Sequence, residues 1–431
     1  MIRILIIADD PTLNTGYARV ARFVATTLAD NNYHIRYLPC NSATPDADRT
    51  KFNFELESFD FNDRFVGKRL QPTLNKFKPS LVIVFGEFGL IGYIGNVCRQ
   101  LGVRSMYYMP VEGNAYPPKI VNVEGGHVDY ALTLQKFNYI VAYSQFGADN
   151  INKLLPGIVT DIIPHQVDTD IFRPLNRDAV FKNFFPGLCE NPGMDKAFIV
   201  GHVGRNQRRK GTDYVLQGFA HFLKNYVDAD KMNAYLFLTT DPNDAQGYHL
   251  MDMIDSLKLR GHVIINPVVG GKQGPTDNQL AEIYNTFDTH LCPHRAEGFG
   301  LPVLEAMASG VKVITTNYST PPEFGKGVVT LIEPSWYEPT VGTNCEWAVL
   351  NPADIAAAIN TVYQDVCTNG HVIDFPARLK AEQYSNAEVA KKWCGLMKDI
   401  RLQELSDLAE DKTVGLTDTE IIMDSYINEV L

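Results

Sequence analysis

Two hydrophobic rhythms alternate along this chain of 431 residues. Residues 2–8 (IRILIIA) are almost continuously apolar, which predicts a buried strand, and residues 9–16 form a polar loop. Residues 17–29 then place Val20, Phe23, Val24, Thr27 and Leu28 on one face at helical spacing. Further strands are predicted at residues 81–85, 104–109 and 139–143. Near-continuous apolar strands separated by helices imply a parallel sheet covered on both faces. Such doubly wound α/β domains bind ligands outside the carboxyl ends of their strands.

The pattern restarts after Pro174. Residues 177–196 hold Pro186, Gly187, Asn191, Pro192 and Gly193, which reads as a punctuated linker. A second series of strands is predicted at residues 198–204, 235–239, 263–268, 289–293 and 312–315, with helices between them. Residues 381–398 look helical, with Val389, Trp393, Leu396 and Met397 toward a core. The reading is therefore α/β, with two Rossmann-like halves facing each other across a cleft. The expected divisions are 1–175 for the first domain, 176–196 for the linker, 197–380 for the second domain and 381–431 for C-terminal helices packing back on the body.

Composition narrows the function classes. The 39 basic and 50 acidic residues leave a net charge of -11, against a surface that grips nucleic acid or anionic membrane as a whole. Seven cysteines lie scattered without a C-x-x-C pair, which suggests reduced, packed thiols and no zinc site. The apolar start breaks at Asp9-Asp10, too short for a signal peptide, and the apolar stretch at residues 81–95 is interrupted by Glu87. A soluble cytoplasmic protein is expected.

Candidate chemistry concentrates in two segments of the second half. One is His294-Arg-Ala-Glu297-Gly-Phe-Gly-Leu-Pro-Val-Leu-Glu305-Ala-Met-Ala-Ser-Gly310. A strand ends at Pro293, Gly298 and Gly300 permit close backbone approach, and a helix begins near Leu301-Pro302. Free N–H groups at such a helix start suit an anion such as phosphate, and ionised carboxylates at Glu297 and Glu305 can hold hydroxyl groups. An ordinary βα turn with a solvated glutamate fits the spacing equally well. The other segment is Gly204-Arg205-Asn-Gln-Arg208-Arg209-Lys210-Gly211. Its cations would suit a diphosphate leaving group; a solvated basic turn is the plainer alternative.

The E-G-F-G-L-P-V-L-E run, followed by A-M-A-S-G-V-K-V-I, closely resembles the retaining glycosyltransferases of family 4, which have the GT-B fold. The resemblance implies transfer of a hexosyl or pentosyl unit from a nucleotide-diphosphate sugar, with no metal or cofactor required. It assigns the donor sugar to Glu297, the ribose hydroxyls to Glu305, and sugar or phosphate contacts to the backbone of Phe299, Gly300 and Leu301. It assigns the donor diphosphate to Arg205 and Lys210, leaving Arg208 and Arg209 as solvent-facing neighbours or contacts to an anionic acceptor. The first-domain loop at residues 10–19 resembles the family's glycine-containing loop near the donor phosphate, with Gly16 in place of the usual double glycine. Base recognition is expected from backbone at residues 266–270, including Val268.

The chain also departs from the family. Many members carry a cleft histidine where this sequence has Tyr107-Tyr-Met-Pro110-Val-Glu112-Gly113-Asn114. Glu112 stands nearest and would act on the acceptor hydroxyl as base or hydrogen-bond partner. Glu87, Asn114 and Ser144 are further acceptor-side candidates. The crossover Ile163-Pro164-His165-Gln166-Val167-Asp168 replaces Asn-Gly with His165-Gln166, and His165 is either acceptor-side or a satisfied structural histidine. The acceptor itself is open: a small metabolite, a glycan, a protein or a modified DNA base. The T-G-Y-A-R and P-V-E-G-N segments resemble virus- and phage-encoded members, some of which decorate hydroxymethylated pyrimidines in DNA; such a protein would work in the host cytoplasm. A non-catalytic nucleotide-sugar-binding protein or a GT-B epimerase is the remaining alternative.

Overall fold

The computed structural model describes residues 2–41, 48–87, 92–114, 119–121, 127–185, 197–227, 233–266, 274–340 and 345–410. Two parallel sheets organise it. The first contains β1 (Arg3–Asp9), β2 (His34–Cys40), β3 (Glu55–Leu56), β4 (Leu81–Phe85), β5 (Arg104–Met109), β8 (Tyr139–Ala142) and β9 (Val159–Ile162), in the order β3-β2-β1-β4-β5-β8-β9. A separate antiparallel pair, β6 (Lys119–Val121) and β7 (His127–Asp129), lies outside it. The second sheet contains β10 (Phe198–Val203), β11 (Ala234–Thr239), β12 (Val263–Asn266), β13 (Thr289–Cys292), β14 (Lys312–Thr316) and β15 (Thr330–Ile332), ordered β12-β11-β10-β13-β14-β15. β16 (Trp336–Pro339) and β17 (Glu346–Val349) form an antiparallel hairpin beyond it.

Burial explains the strand compositions. All five residues of β4 and all six of β10 are buried, as expected where helices cover both faces. The helix Gly16–Asp30 starts at Thr15, whose side chain accepts from the Ala18 N–H at 3.2 Å. Its buried face is Ala18, Val20, Ala21, Val24, Ala25, Thr27 and Leu28. Phe23, predicted on that face, is only partly buried against the same core.

Each sheet has one point where the strand order reverses, between β1 and β4 in the first and between β10 and β13 in the second. Ligand crevices open at such points, outside the carboxyl ends of the strands. The loops that follow β10 and β13 are the two candidate segments of the sequence.

Two expectations change. Part of the expected linker is a helix, Arg177–Phe184, capped by Asn176 and carrying buried Phe181. Phe185 behind it meets Phe237 of β11 with ring centroids 5.0 Å apart, so the apolar residues between the punctuating Pro and Gly dominate there. The Pro- and Gly-rich remainder, 186–196, lies outside the described residues, as do Cys189, Val268 and everything after residue 410. The strand β2, not expected from the sequence, pairs with β1 over all seven residues; its internal His34, Arg36 and Pro39 interrupt the apolar run. The last described helix, Asn386–Glu410, returns to the first domain, where Trp393 is fully buried against Phe85 and Tyr108.

Candidate active site

The loop after β10 makes one tight 3₁₀ turn, Arg208–Lys210, and ends at Gly211 with φ +73°. A side chain at Gly211 would place its Cβ 2.1 Å from the Pro293 carbonyl oxygen, so glycine alone lets this turn sit against the loop after β13. Arg295 locks the two loops together. Its guanidinium donates to both Asp213 carboxylate oxygens at 2.8 and 2.6 Å and to the Arg208 carbonyl at 2.7 Å. It also lies 4.0 Å over the Tyr214 ring. The backbone N–H of Arg295 donates to the Arg209 carbonyl at 2.8 Å.

On that frame Lys210 meets Glu297 with Nζ 2.5 Å from Oε2. Arg209 turns inward as well, 3.4 Å from the same oxygen and 3.1 Å from Glu112 of the first domain. Three consecutive residues of a 3₁₀ turn point about a third of a turn apart, so Arg208 and Arg209 cannot share an environment. Arg208 faces outward, paired with Glu338 at 3.0 Å, while Arg209 donates to the Ala296 carbonyl at 3.0 Å. The expectation that both are solvent-facing therefore holds for Arg208 only.

The electrostatics follow from this packing. Burial alone would raise the Glu297 pKa, but Lys210 and Arg209 outweigh it and hold the carboxyl at about 2. Glu112 is pushed up by burial and by the Glu297 charge, against the opposing pull of Arg209. Two carboxylates and two cations thus meet where the domains face each other, with Glu297 firmly ionised and Glu112 more ready to take a proton.

Glu305 is buried in the helix Leu301–Ala308, whose N-cap Gly300 has φ +102°. One of its oxygens accepts from Arg19 of the first domain at 2.6 Å, and the other accepts from the Tyr284 hydroxyl at 2.9 Å. Gly16 lies beside the same helix: a Cβ there would be 3.8 Å from Leu301 Cδ1. Arg19, one turn beyond Gly16 along the helix Gly16–Asp30, is a cross-domain contact that sequence reasoning passed over.

The other candidates separate into groups. Arg205 is half exposed and paired with Asp244 at 2.8 Å, so its guanidinium is not brought to the Lys210–Glu297 group. Arg209, four residues on, is the arginine that reaches Glu297, because the chain turns at residues 208–210. Asn114 joins the domains: its N–H donates to the Tyr318 hydroxyl at 2.8 Å and its side chain to Glu346 at 3.0 Å. Ser144 caps the helix Gln145–Leu154 and lies 3.0 Å from the Thr320 hydroxyl. Its buried position makes it a helix cap and domain contact. His165 stands between Tyr143 and Phe299, with ring centroids 4.4 and 4.6 Å away. The Tyr108 hydroxyl lies 2.8 Å from both the Ile163 carbonyl oxygen and His165 Nδ1. Burial pushes the His165 pKa down to about 3. Glu87 is exposed at the end of β4, and Phe299 is buried between His165 and Phe324. Among the described residues no group of three or more His, Cys, Asp or Glu side chains could hold a metal ion, and no helix is long and apolar enough to cross a membrane.

Comparison with known proteins bears on the fold and on the second half of the chain. Solved structures of the same fold are GT-B glycosyltransferases. Sucrose-phosphate synthase from Thermosynechococcus elongatus superposes with a TM-score of 0.68 at 16% identity, covering 94% of this chain and all of that one. Anabaena Alr3699/HepE, solved with UDP and glucose, gives 0.67 at 14% identity, covering 93% of this chain and all of that one. The chain has the GT-B fold, two Rossmann-like domains across a cleft. Residues 190–335 match the family "Glycosyl transferases group 1", the segment that carries Lys210, Glu297 and Glu305. D-inositol 3-phosphate glycosyltransferase 1 of Catenulispora acidiphila is 26% identical over 221 residues, 50% of this chain and 48% of that protein. The lipopolysaccharide core mannosyltransferase LpsB of Rhizobium meliloti is 29% identical over 157 residues, 36% of this chain and 40% of that protein. The chain thus spans about half the length, or less, of these curated relatives.

Proposed function

We propose that the protein is a retaining glycosyltransferase that moves a hexosyl or pentosyl unit from a nucleotide-diphosphate sugar to a hydroxyl acceptor, without a metal ion. The observation that carries this reading is the buried Glu297 carboxylate held by Lys210 and Arg209 at the domain junction, with Glu112 reaching the same arginine from the other side. The donor diphosphate would lie against Arg209, Lys210 and the N–H groups at Leu301, where negative charge grows as the glycosidic bond breaks. Glu297 would orient the sugar and steady positive charge at its ring. The departing phosphate oxygen would take the acceptor's proton, with Glu112 aligning the acceptor hydroxyl. Glu305, with Tyr284 and Arg19 on its two oxygens, would receive the ribose. The relatives named above act, by their names, on an inositol phosphate and on a lipopolysaccharide core, so a DNA acceptor is the less favoured reading.

The test is a thermal-shift screen against nucleoside diphosphates and their sugar conjugates, with and without Mg²⁺. A ligand at a hundredfold excess over Kd stabilises by about 2.7 kcal/mol. The expected result is a selective, metal-independent shift with one nucleotide. It should be absent in Lys210→Ala, with donor turnover reduced by about 10²–10³ in that variant and in Glu297→Gln. Conversion of the nucleotide sugar with no acceptor present would instead indicate an epimerase, and binding with no turnover a non-catalytic protein.

A further inference from the structure

Tyr143 carries a buried hydroxyl that no other group satisfies, and it stands beside the Glu297 loop. The residue follows β8 at the carboxyl end of the first sheet and is 5% exposed. Three rings fix its direction, with centroids 4.4 Å away for His165, 5.2 Å for Tyr108 and 6.3 Å for Phe299. Its hydroxyl ends against Gly298 of the second domain, where a Cβ would lie 3.0 Å from the phenol oxygen. Gly298 follows Glu297, and consecutive Cα atoms are about 3.8 Å apart. The phenol oxygen therefore stands next to the residue that Lys210 and Arg209 hold.

The two segments are pinned to each other at this point. The Thr320 hydroxyl donates to the Gly298 carbonyl at 2.7 Å and lies 3.0 Å from the hydroxyl of Ser144, the residue after Tyr143. Ser144 in turn accepts from the Gly147 N–H at 2.9 Å. Ring packing on one side and this bridge on the other keep the phenol at a set distance from the loop.

Packing alone does not call for the hydroxyl, since the same three rings would hold a phenylalanine. A buried hydroxyl left without a partner is costly. Tyr108, in the same aromatic group, has the Ile163 carbonyl oxygen and His165 Nδ1 within 2.8 Å of its hydroxyl. The Tyr143 hydroxyl has no hydrogen-bond partner among the described residues. Burial and the Glu112 charge push its pKa up, so at neutral pH it both donates and accepts. A neutral group of that kind matches a second hydroxyl, whereas a phosphate would be drawn to Arg209 and Lys210.

We propose that Tyr143 reads one hydroxyl of the transferred sugar, bonding it across the gap that Gly298 leaves open while Glu297 contacts the same sugar. Tyr143 is then a specificity-determining residue, because a donor without that hydroxyl would leave the phenol unpaired. This inference rests on the glycosyltransferase reading.

The experiment measures Kd by calorimetry for the full chain and for Tyr143→Phe, which keeps the packed ring. The ligands are the nucleotide sugar found in the thermal-shift screen, its nucleoside diphosphate, and a set of analogues that each lack one sugar hydroxyl. The expected result is at least fivefold weaker binding of the complete nucleotide sugar by Tyr143→Phe. The Kd of the nucleoside diphosphate should be unchanged, and one analogue should bind parent and variant equally. Equal affinities for the complete nucleotide sugar overturn the inference. A loss of the same size for every analogue, or for the nucleoside diphosphate, overturns it as well. Should Tyr143→Phe fail to fold, a crystal structure of the parent with the nucleotide sugar decides. A sugar hydroxyl within about 3.2 Å of the phenol oxygen supports the inference, and a phenol bonded to anything else, or to nothing, overturns it. A parent that binds no nucleotide removes the glycosyltransferase reading and this inference with it. That failure is distinct, because it is read from the parent before the variant enters.

Discussion

Buried histidines illustrate how a single residue couples this fold to pH. His165, His202 and His290 sit in the interior, and burial pushes their pKa values down to about 3, 4 and 3. The unfolded chain binds protons at these groups near the ordinary value of about 6.5. As pH falls below about 6.5, the unfolded state therefore takes up protons first, and stability falls toward the folded values of about 3–4. Glu297, with its pKa lowered, adds the same sign at lower pH: its stabilisation is present above the unfolded carboxyl value and disappears toward about 2. The melting temperature should be nearly level above pH 7 and drop between pH 6.5 and 5. His290→Phe, a substitution of similar size in an aromatic setting beside Tyr284 and Phe287, should make that drop smaller. A slope identical to the parent's would show that His290 does not carry the effect. At this scale the paired glutamates and Lys210 were legible in the sequence, since their motif is contiguous. Arg209 was not, because a run of three basic residues does not reveal which member faces inward.

At the level of elements, the site depends on the 3₁₀ turn at residues 208–210 more than on any helix. Gly211 combines a positive φ with a backbone approach that leaves no room for a Cβ. Gly211→Ala should strain the turn and push it off the Pro293 carbonyl, shifting Arg209 and Lys210 together. The expected outcome is a lower melting temperature and a nucleotide-induced thermal shift much reduced relative to the parent. A variant with lowered stability but a full nucleotide shift would separate the turn from the site. The strands β1 and β4 were legible because near-continuous apolar runs are what two-sided burial demands. β2 was hidden by polar residues at its start and a proline within it, and the helix Arg177–Phe184 by the Pro and Gly residues that follow it.

Across the whole molecule, the C-terminal helix ties the two halves together. It leaves the second domain, crosses back, and buries Trp393 against Phe85 and Tyr108 of the first sheet. Trp393→Ala removes a large side chain that is fully buried, a change that costs about 3–5 kcal/mol. The first domain should unfold at a lower temperature in this variant while the nucleotide shift of the second domain persists. Loss of both together would mean that the domains unfold as one unit. Glu323 supplies a second tie, accepting from the N–H groups of Gln145 and Phe146 at the start of a first-domain helix, 2.9 and 2.5 Å away.

The sequence by itself determined the fold class and singled out the two loop segments that meet at the candidate site. Both are local: buried parallel strands need apolar runs, and a loop together with the helix that follows keeps its residues adjacent in the chain. Only the tertiary structure decided which side chains meet across the domains. Arg19 with Glu305 and Arg209 with Glu112 join residues from separate domains. Their encounter is set by sheet order and domain packing, and no periodicity in the chain records either.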